Sequence, residues 1–284
     1  MNIRPDESRT HSPKTKGIMK LLSIIIPVYN EEKRLDKTFS AISSLMLPRE
    51  LKLKEIIFVN DGSTDKTTSL ISRFIKTSKH PISLISYSQN KGKGYAVKIG
   101  MMNTASDYSL LCDADMSTPF SELKQFIPFI KQNADVVIGT RKNGKSTVIV
   151  HQPWLRENMG KIFTYFTKTI LRINITDFTC GFKLFSEKAV EVIFPKSIIN
   201  RWGYDAEILY IASKENLQIQ ERHVIWSNEK LSHVNILTAV PNTLFEIGTI
   251  LYIHSVQPSI RKMLAANILS LQNSRFTQRI TSLF

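Results

Sequence analysis

Asp113 and Asp115 stand one residue apart at the end of an apolar run, Tyr-Ser-Leu-Leu-Cys, over residues 108–112. In extended chain, residues two apart point to the same side, so the two carboxylates are predicted to face one point. Carboxylates that close repel unless a cation or a proton lies between them. Hard oxygen ligands with open positions suit Mg²⁺ or Mn²⁺, and such ions complete their shells with substrate phosphates. The bland alternative for the same residues is an Asx turn after a strand.

A site of this kind needs elements that bring strand ends together. Residues 21–28 (Leu-Leu-Ser-Ile-Ile-Ile-Pro-Val) form a near-continuous β-branched run, the signature of a strand buried on both faces of a parallel sheet. Residues 55–60, 82–87, 108–112 and 135–139 repeat the pattern, with helical segments between them. Asp65, or Ser63 before it, is placed to cap the helix carrying Leu70, Ile71, Phe74 and Ile75. Lys91-Gly-Lys-Gly94 opens the next helix, and residues 120–130 form another. Alternating strands and helices predict an α/β fold built on a mostly parallel sheet. In such sheets the ligand crevice lies beyond the carboxyl ends of the strands, where Asn30, Asp61, Asp113 and Asp115 all fall. No Gly-x-Gly-x-x-Gly follows the first strand, which disfavours a dinucleotide-dependent dehydrogenase.

Beyond Arg141 the alternation fades. Residues 154–171 read as a helix carrying Trp154, Leu155, Met159, Ile162, Phe163, Phe166 and Ile170. Asp177-Phe-Thr-Cys-Gly-Phe-Lys183 reads as a turn-like link into Leu184-Phe185 and a short helix. Asp205 and Glu207 fall in the first turn of a further helix, where carboxylates are ordinary dipole partners. Residues 218–226 read as a closing strand. Residues 236–253 are mostly apolar, interrupted by Pro241, Asn242 and Glu246, and Ile260, Met263, Leu264, Ile268 and Leu271 then form a helical stripe.

The composition narrows the function. The 284 residues are 42% hydrophobic and 22% charged, enough for a full core, and the net charge is +14. An anionic partner is expected. No RNP sequence, zinc-finger spacing or bZIP pattern is present, so nucleic acid is not that partner. Two cysteines, Cys112 and Cys180, give neither a disulfide framework nor a zinc site and point to a reducing compartment. Residues 1–20 are polar and basic and read as a solvated tail without the apolar core of a signal peptide. No stretch of 18 or more residues is uniformly apolar. The division expected is a tail over 1–20, a catalytic domain over 21–230, and a helical segment over 231–284. From Ile236 onward four Arg/Lys stand against one Glu, compatible with an anionic membrane surface.

Taken together, Pro27-Val-Tyr-Asn-Glu31, Val59-Asn-Asp-Gly-Ser-Thr-Asp65, Asn90-Lys-Gly-Lys-Gly94, Asp113-Ala-Asp115, Gly139-Thr-Arg141, Asp177-Phe-Thr-Cys-Gly-Phe-Lys183 and Asp205-Ala-Glu207 occur in that order. This set resembles the family 2 inverting glycosyltransferases, and within them the dolichyl-phosphate β-glucosyltransferases and related polyprenyl-phosphate enzymes. The resemblance covers about residues 21–226. It implies a GT-A type nucleotide-diphospho-sugar fold and a metal-dependent transfer of a hexose from a UDP- or GDP-sugar, with UDP-glucose favoured. It also implies a polyprenyl or dolichyl phosphate acceptor at the cytosolic face of a membrane. By that likeness Pro27, Tyr29, Asn30, Glu31 and Asp61 surround the nucleoside and Lys93 lies by the diphosphate. Asp113, Ala114 and Asp115 then meet ribose and metal.

Mechanism follows from the acceptor. A phosphate monoester has a second pKa of about 6 and is mostly dianionic near neutral pH, so its oxygen attacks without a strong base. Cation clamps are needed instead, and Arg141 and Arg156 are the candidates. A sugar hydroxyl acceptor, as in surface polysaccharide or glycolipid synthesis, needs a carboxylate base, with Asp205 first and Asp177 second.

Overall fold

The computed structural model describes residues 19–142, 148–150, 154–227 and 236–256, with the side chains of 148–150, 154–159, 163 and 236–244 outside that description. Its elements run β1 Lys20–Val28, α1 Leu35–Ser43, β2 Leu51–Asp61, α2 Thr67–Thr77, β3 Ile82–Tyr87, α3 Lys93–Met102 and β4 Tyr108–Cys112. A 3-10 turn over Phe120–Gln125 and α4 Ile127–Lys131 replace the single helix expected there. Then follow β5 Val136–Thr140, β6 Val148–Val150, α5 Trp154–Leu171, β7 Phe182–Ser186, α6 Glu187–Ile193, α7 Tyr204–Lys214, β8 Ile219–His223, β9 Trp226–Ser227 and α8 Ile236–Ser255.

Seven strands form one sheet in the order β3-β2-β1-β4-β7-β5-β8. All neighbours are parallel except β7, which runs antiparallel between β4 and β5. The strands alternate sides: Ile25, Ile57 and Leu111 join one core cluster, and Ile24, Ile26, Phe58 and Leu110 the other. That two-sided burial explains the uninterrupted apolar runs.

Three expectations are corrected. Phe182–Ser186 is a strand, not a link, and it extends the sheet past the point where the alternation fades. The closing strand divides into β8 and β9 around Val224 and Ile225. Pro241, Asn242 and Glu246 do not break the C-terminal segment: α8 is one helix of 20 residues. It buries Ile247, Ile250 and Ile253 completely and packs against α5 and α7. The stripe from Ile260 to Leu271 lies outside the described residues. Among the described residues no helix is long and apolar enough to cross a membrane.

Candidate active site

Strand β7 arranges the site. The β4–β7 ladder ends at the pair Cys112↔Phe182, so the next position outward sets Asp113 opposite Gly181. The carboxylate of Asp113 occupies the space a side chain at 181 would need: a Cβ there would lie 1.9 Å from Asp113 Oδ2. The β5–β7 ladder pairs Ile138 with Lys183, and continued outward it brings Arg141 beside the Asp177–Cys180 turn.

Three ion pairs line this end of the sheet. Lys93 Nζ donates to Asp113 Oδ1 at 2.6 Å. Burial works to raise Asp113, but Lys93 beside it, with Lys183 and Arg141 farther off, holds its pKa below the usual carboxylate range. Burial likewise works to lower Lys93, and the Asp113 charge outweighs it, so the ammonium is held protonated. Lys183 is fully buried, donates to Asp205 Oδ1, and reaches the carbonyl of Cys180 at 2.7 Å. Burial raises the pKa of Asp205 in spite of the Lys183 charge. Arg141 grips Asp177 through Nε and Nη2, both at 2.8 Å, and through its backbone N–H at 3.0 Å. Burial would raise Asp177, but Arg141 drives it far below the carboxylate range. Three cations and three carboxylates thus balance before any substrate arrives.

The loop that carries Asp177 is itself clamped. Glu221 accepts from the backbone N–H of Thr176 at 2.9 Å and of Asp177 at 3.2 Å. Nη2 of Arg141 also donates to Thr179 Oγ1 at 2.8 Å, and its guanidinium carbon sits 5.3 Å from the centre of the Trp226 ring. Most of the Arg141 donors are therefore committed to the protein. Arg156 lies in α5, and its side chain is outside the described residues.

The chain is not extended through Asp113-Ala-Asp115. Ala114 and Asp115 form a turn closed by the Met116 N–H on the Asp113 carbonyl at 3.2 Å, with Met116 at φ 51°. Asp115 Oδ1 accepts from the Ser117 N–H at 2.9 Å, so the Asx turn is present and Oδ2 is left for a ligand. Among the described residues no group of three or more His, Cys, Asp or Glu forms a ready metal cage. Two carboxylates at a crevice, with water and diphosphate oxygens to finish the shell, still fit the way Mg²⁺ and Mn²⁺ are held. Ala114 is buried, and its carbonyl accepts from Thr38 Oγ1.

The predicted nucleoside residues are placed at the strand ends but much of their polarity is spent on each other. Pro27 is buried in β1, and Tyr29 is exposed just beyond it. Asn30, at φ 52°, accepts from the Thr64 N–H at 2.8 Å, and its own N–H donates to Ser63 Oγ at 3.0 Å. Glu31 pairs with Arg34, and its N–H meets Thr67 Oγ1 at 2.7 Å. Asp65 Oδ1 accepts from the N–H of Thr67, the first residue of α2, at 2.9 Å, but the N-cap position is Lys66, which makes no side-chain cap. Asp61 is buried and accepts from the N–H groups of Lys91 and Gly92 at 2.8 and 2.9 Å and from Asn90 Nδ2 at 2.8 Å. Its carboxylate folds the loop that delivers Lys93. Gly92, at φ 104°, allows that loop to pass the Asn200 carbonyl, which a Cβ would meet at 2.4 Å.

Several side chains escape sequence reasoning. Lys183 is one, because nothing local marks a fully buried lysine. Trp202 is another: exposed on the Asn200–Gly203 loop, its ring centre lies 6.0 Å from Lys93 Nζ. Tyr204 is buried with its hydroxyl unpartnered among the described residues. Glu207, paired in sequence with Asp205, points elsewhere: it accepts from the Ile199 N–H at 2.8 Å and meets His254 Nε2 at 2.8 Å. Residues 139–146 also spell Gly-x-x-x-x-Gly-Lys-Ser. Their first glycine lies inside β5, Arg141 is tied to Asp177, and the next described element is strand β6 rather than a helix, unlike a phosphate loop.

Comparison with known proteins agrees with this geometry. The family described as Glycosyl transferase family 2 matches residues 23–194. A dolichyl-phosphate beta-glucosyltransferase of Dictyostelium discoideum is 37% identical over 72% of this chain and 66% of its own. The Homo sapiens protein of that name is 30% identical over 73% of this chain and 68% of its own. The chain thus spans about two thirds of the length of these relatives. Among solved structures, glucosyl-3-phosphoglycerate synthase from Mycobacterium tuberculosis in complex with UDP superposes with a TM-score of 0.58 at 16% identity, covering 81% of this chain and 80% of that one. TarS 1-349 of S. aureus gives 0.53 at 16% identity, covering 90% and 73%. These likenesses carry the fold: it is the GT-A type.

Proposed function

The chain belongs to glycosyl transferase family 2, and on that premise we propose that it moves glucose from UDP-glucose onto a polyprenyl or dolichyl phosphate, with inversion at the anomeric carbon. Similarity to proteins named dolichyl-phosphate beta-glucosyltransferase supports the glucosyl group and the acceptor, and neighbours of this fold solved with UDP or UDP-glucose support the nucleotide. The observation that carries the choice of a phosphate over a hydroxyl acceptor is the pairing of both candidate bases. Asp177 holds Arg141 with both carboxylate oxygens and Asp205 holds Lys183 with one, so protonating either one weakens a buried ion pair. A dianionic phosphate oxygen needs no such proton transfer.

In this reading the acceptor oxygen attacks the anomeric carbon as the bond to the β-phosphate of UDP breaks. Lys93 neutralises part of the leaving diphosphate, and Asp113 holds its ammonium in place. Asp113 and Asp115 would hold Mg²⁺ or Mn²⁺, which supplies charge stabilisation for the departing diphosphate; one neighbour of this fold is solved with Mn²⁺, UDP-glucose and phosphoglyceric acid. Arg141 and Lys142, beside Asp177, would supply positive charge for the acceptor phosphate, with Arg156 the further candidate. Asp205 and Asp177 orient those cations and the sugar. The nucleoside lies over Tyr29 and the loop built on Asp61. The membrane face that supplies the acceptor is the cytosolic one.

The test offers vesicle-embedded polyprenyl phosphate together with each of UDP-glucose, UDP-galactose, UDP-N-acetylglucosamine and GDP-mannose, all radiolabelled in the sugar. Label is expected in the organic phase from UDP-glucose. Preferential transfer from GDP-mannose would overturn the donor assignment.

A further inference from the structure

Along the described side chains of helix α5 an apolar stripe faces outward. Ile162, Tyr165, Phe166 and Ile170 follow the i, i+3, i+4, i+8 spacing of one helix face, and they are 54%, 68%, 46% and 36% exposed. The opposite side, facing the protein, carries Thr164, Thr167 and Leu171, all buried. An amphipathic helix in a soluble protein turns its apolar face to the core, so this one is reversed. Tyr165 and Phe166 pack edge to face on each other, with ring centres 5.9 Å apart.

Helix α8, packed against α5, buries Ile247, Ile250 and Ile253 yet also leaves aromatic surface outside. Phe245 and Tyr252, two turns apart, are 74% and 58% exposed, while the carboxylate between them, Glu246, is buried against the Gly203 N–H at 2.7 Å. Apolar surface on two adjoining helices marks an interaction site rather than scattered exposure.

We infer that the outward faces of α5 and α8 form a docking surface for an anionic lipid bilayer, with the aromatic side chains seated at the level of the headgroups. Choosing a bilayer rests on the lipid-borne acceptor proposed above, and two further observations support it. One is charge: Lys161, Lys168 and Arg172 lie on or just after α5, and the chain as a whole carries +14. Aromatic side chains flanked by lysine and arginine are the composition of interfacial helices. The other is continuity with the site. Lys142, next to Arg141, reaches Thr164 Oγ1 on the inner side of α5, and Glu246 of α8 fixes the loop that holds Trp202 near Lys93. Both helices thus connect the surface to the catalytic crevice. A lipid phosphate would enter from the bilayer directly beside Arg141 and Lys142. The surface also shifts membrane contact from the C-terminal segment alone to the body of the catalytic fold.

The experiment uses the full chain and vesicles of phosphatidylcholine with phosphatidylglycerol, without donor or acceptor, read by co-sedimentation. A variant carrying Ile162→Ser, Tyr165→Ser, Phe166→Ser and Ile170→Ser is expected to bind these vesicles about tenfold or more weakly. Its melting temperature and its affinity for UDP should stay at wild-type values. A second variant, Phe245→Ser with Tyr252→Ser, guards against a local defect in α5 and is expected to lose binding as well. Wild-type binding should fall on pure phosphatidylcholine and in high salt. In turnover, the α5 variant should keep its rate on a short water-soluble isoprenyl phosphate and lose it on vesicle-embedded acceptor. Undiminished vesicle binding by both variants overturns the inference. So does a concentration-dependent dimer that the variants abolish without change in vesicle binding, which would make a second copy the occupant. Vesicle binding that rises when residues 260–284 are deleted would make the chain's own C-terminal segment the occupant, and also overturns it. Failure of the proposed reaction shows differently, as wild-type vesicle binding with no transfer to any isoprenyl phosphate.

Discussion

Replacing Gly181 by alanine adds one methyl group and no charge, yet it strikes the residue on which the donor site turns. The new Cβ would lie 1.9 Å from Asp113 Oδ2, 2.2 Å from Cγ and 2.6 Å from Oδ1. Reaching ordinary contact near 3.4 Å requires the carboxylate to move by roughly 1.5 Å. The movement breaks the 2.6 Å pair with Lys93. Both partners of that pair are partly exposed, so its loss costs about 1 kcal/mol of stability or less. For a chain of this size that lowers Tm by about 2–4 °C. Function should suffer far more, because an ångström of misplacement in a positioning group costs about a hundredfold in rate. Gly181→Ala is therefore expected to lose about two orders of magnitude in kcat/KM for UDP-glucose while melting within a few degrees of wild type. Initial-rate kinetics and differential scanning fluorimetry on the same preparation make the comparison. The double variant Gly181→Ala with Asp113→Ala should recover the melting temperature and not the activity. Activity of Gly181→Ala within threefold of wild type would show that Asp113 is not placed as described.

Other perturbations separate the roles of neighbouring groups. Lys183→Met leaves the buried Asp205 carboxylate unpaired and should cost about 3–5 kcal/mol by chemical denaturation; a loss under 1 kcal/mol would argue that Asp205 is solvated. Asp115→Asn keeps the acceptor for the Ser117 N–H but weakens the metal ligand. It should raise the Mn²⁺ concentration needed for half-maximal rate at least tenfold with Tm unchanged, and an unaltered metal requirement would remove Asp115 from the donor site. Glu246 carries a pKa raised by burial from 4.5 to about 7. The folded protein therefore binds this proton more tightly than the unfolded chain, and the associated stability is complete below pH about 4.5 and lost as pH rises through 7. The full span is roughly 3 kcal/mol. Glu246→Gln keeps an acceptor for the Gly203 N–H, so its Tm should gain on wild type between pH 5 and 8; parallel Tm profiles would refute the shift.

Much of the architecture is legible because burial on both sheet faces leaves its mark on sequence. The runs that become β1, β2, β4 and β5 need no partner to be recognised, and their carboxyl ends place Asn30, Asp61, Asp113 and Asp115 together. Strand β7 is less visible. Its five residues include the fully buried Lys183, and a lysine in a short Phe-Lys-Leu-Phe-Ser run resembles a half-exposed segment. Yet β7 supplies the antiparallel register that sets Gly181 against Asp113. The ion pairs are hidden for a related reason: Lys93–Asp113, Lys183–Asp205 and Arg141–Asp177 span 20, 22 and 36 residues, and sequence alone does not say which cation meets which carboxylate. Arg141 thus reads as a free clamp until Asp177 is seen to hold it. In α8, Pro241 and Glu246 look like interruptions because their compensation is tertiary, in the packing of Ile247, Ile250 and Ile253 and in the Gly203 N–H.

The proposed reaction turns most on the nature of the acceptor. Wild-type protein, Mg²⁺ or Mn²⁺ and UDP-[¹⁴C]glucose would be offered polyprenyl phosphate or the matching polyprenol in identical vesicles, and lipid-extractable label followed with time. Label is expected on the phosphate alone, abolished by chelation and restored by adding the metal back. Equal or greater transfer to the free alcohol would overturn the phosphate acceptor, because that reaction requires a base, and both candidates, Asp177 and Asp205, already hold a buried cation.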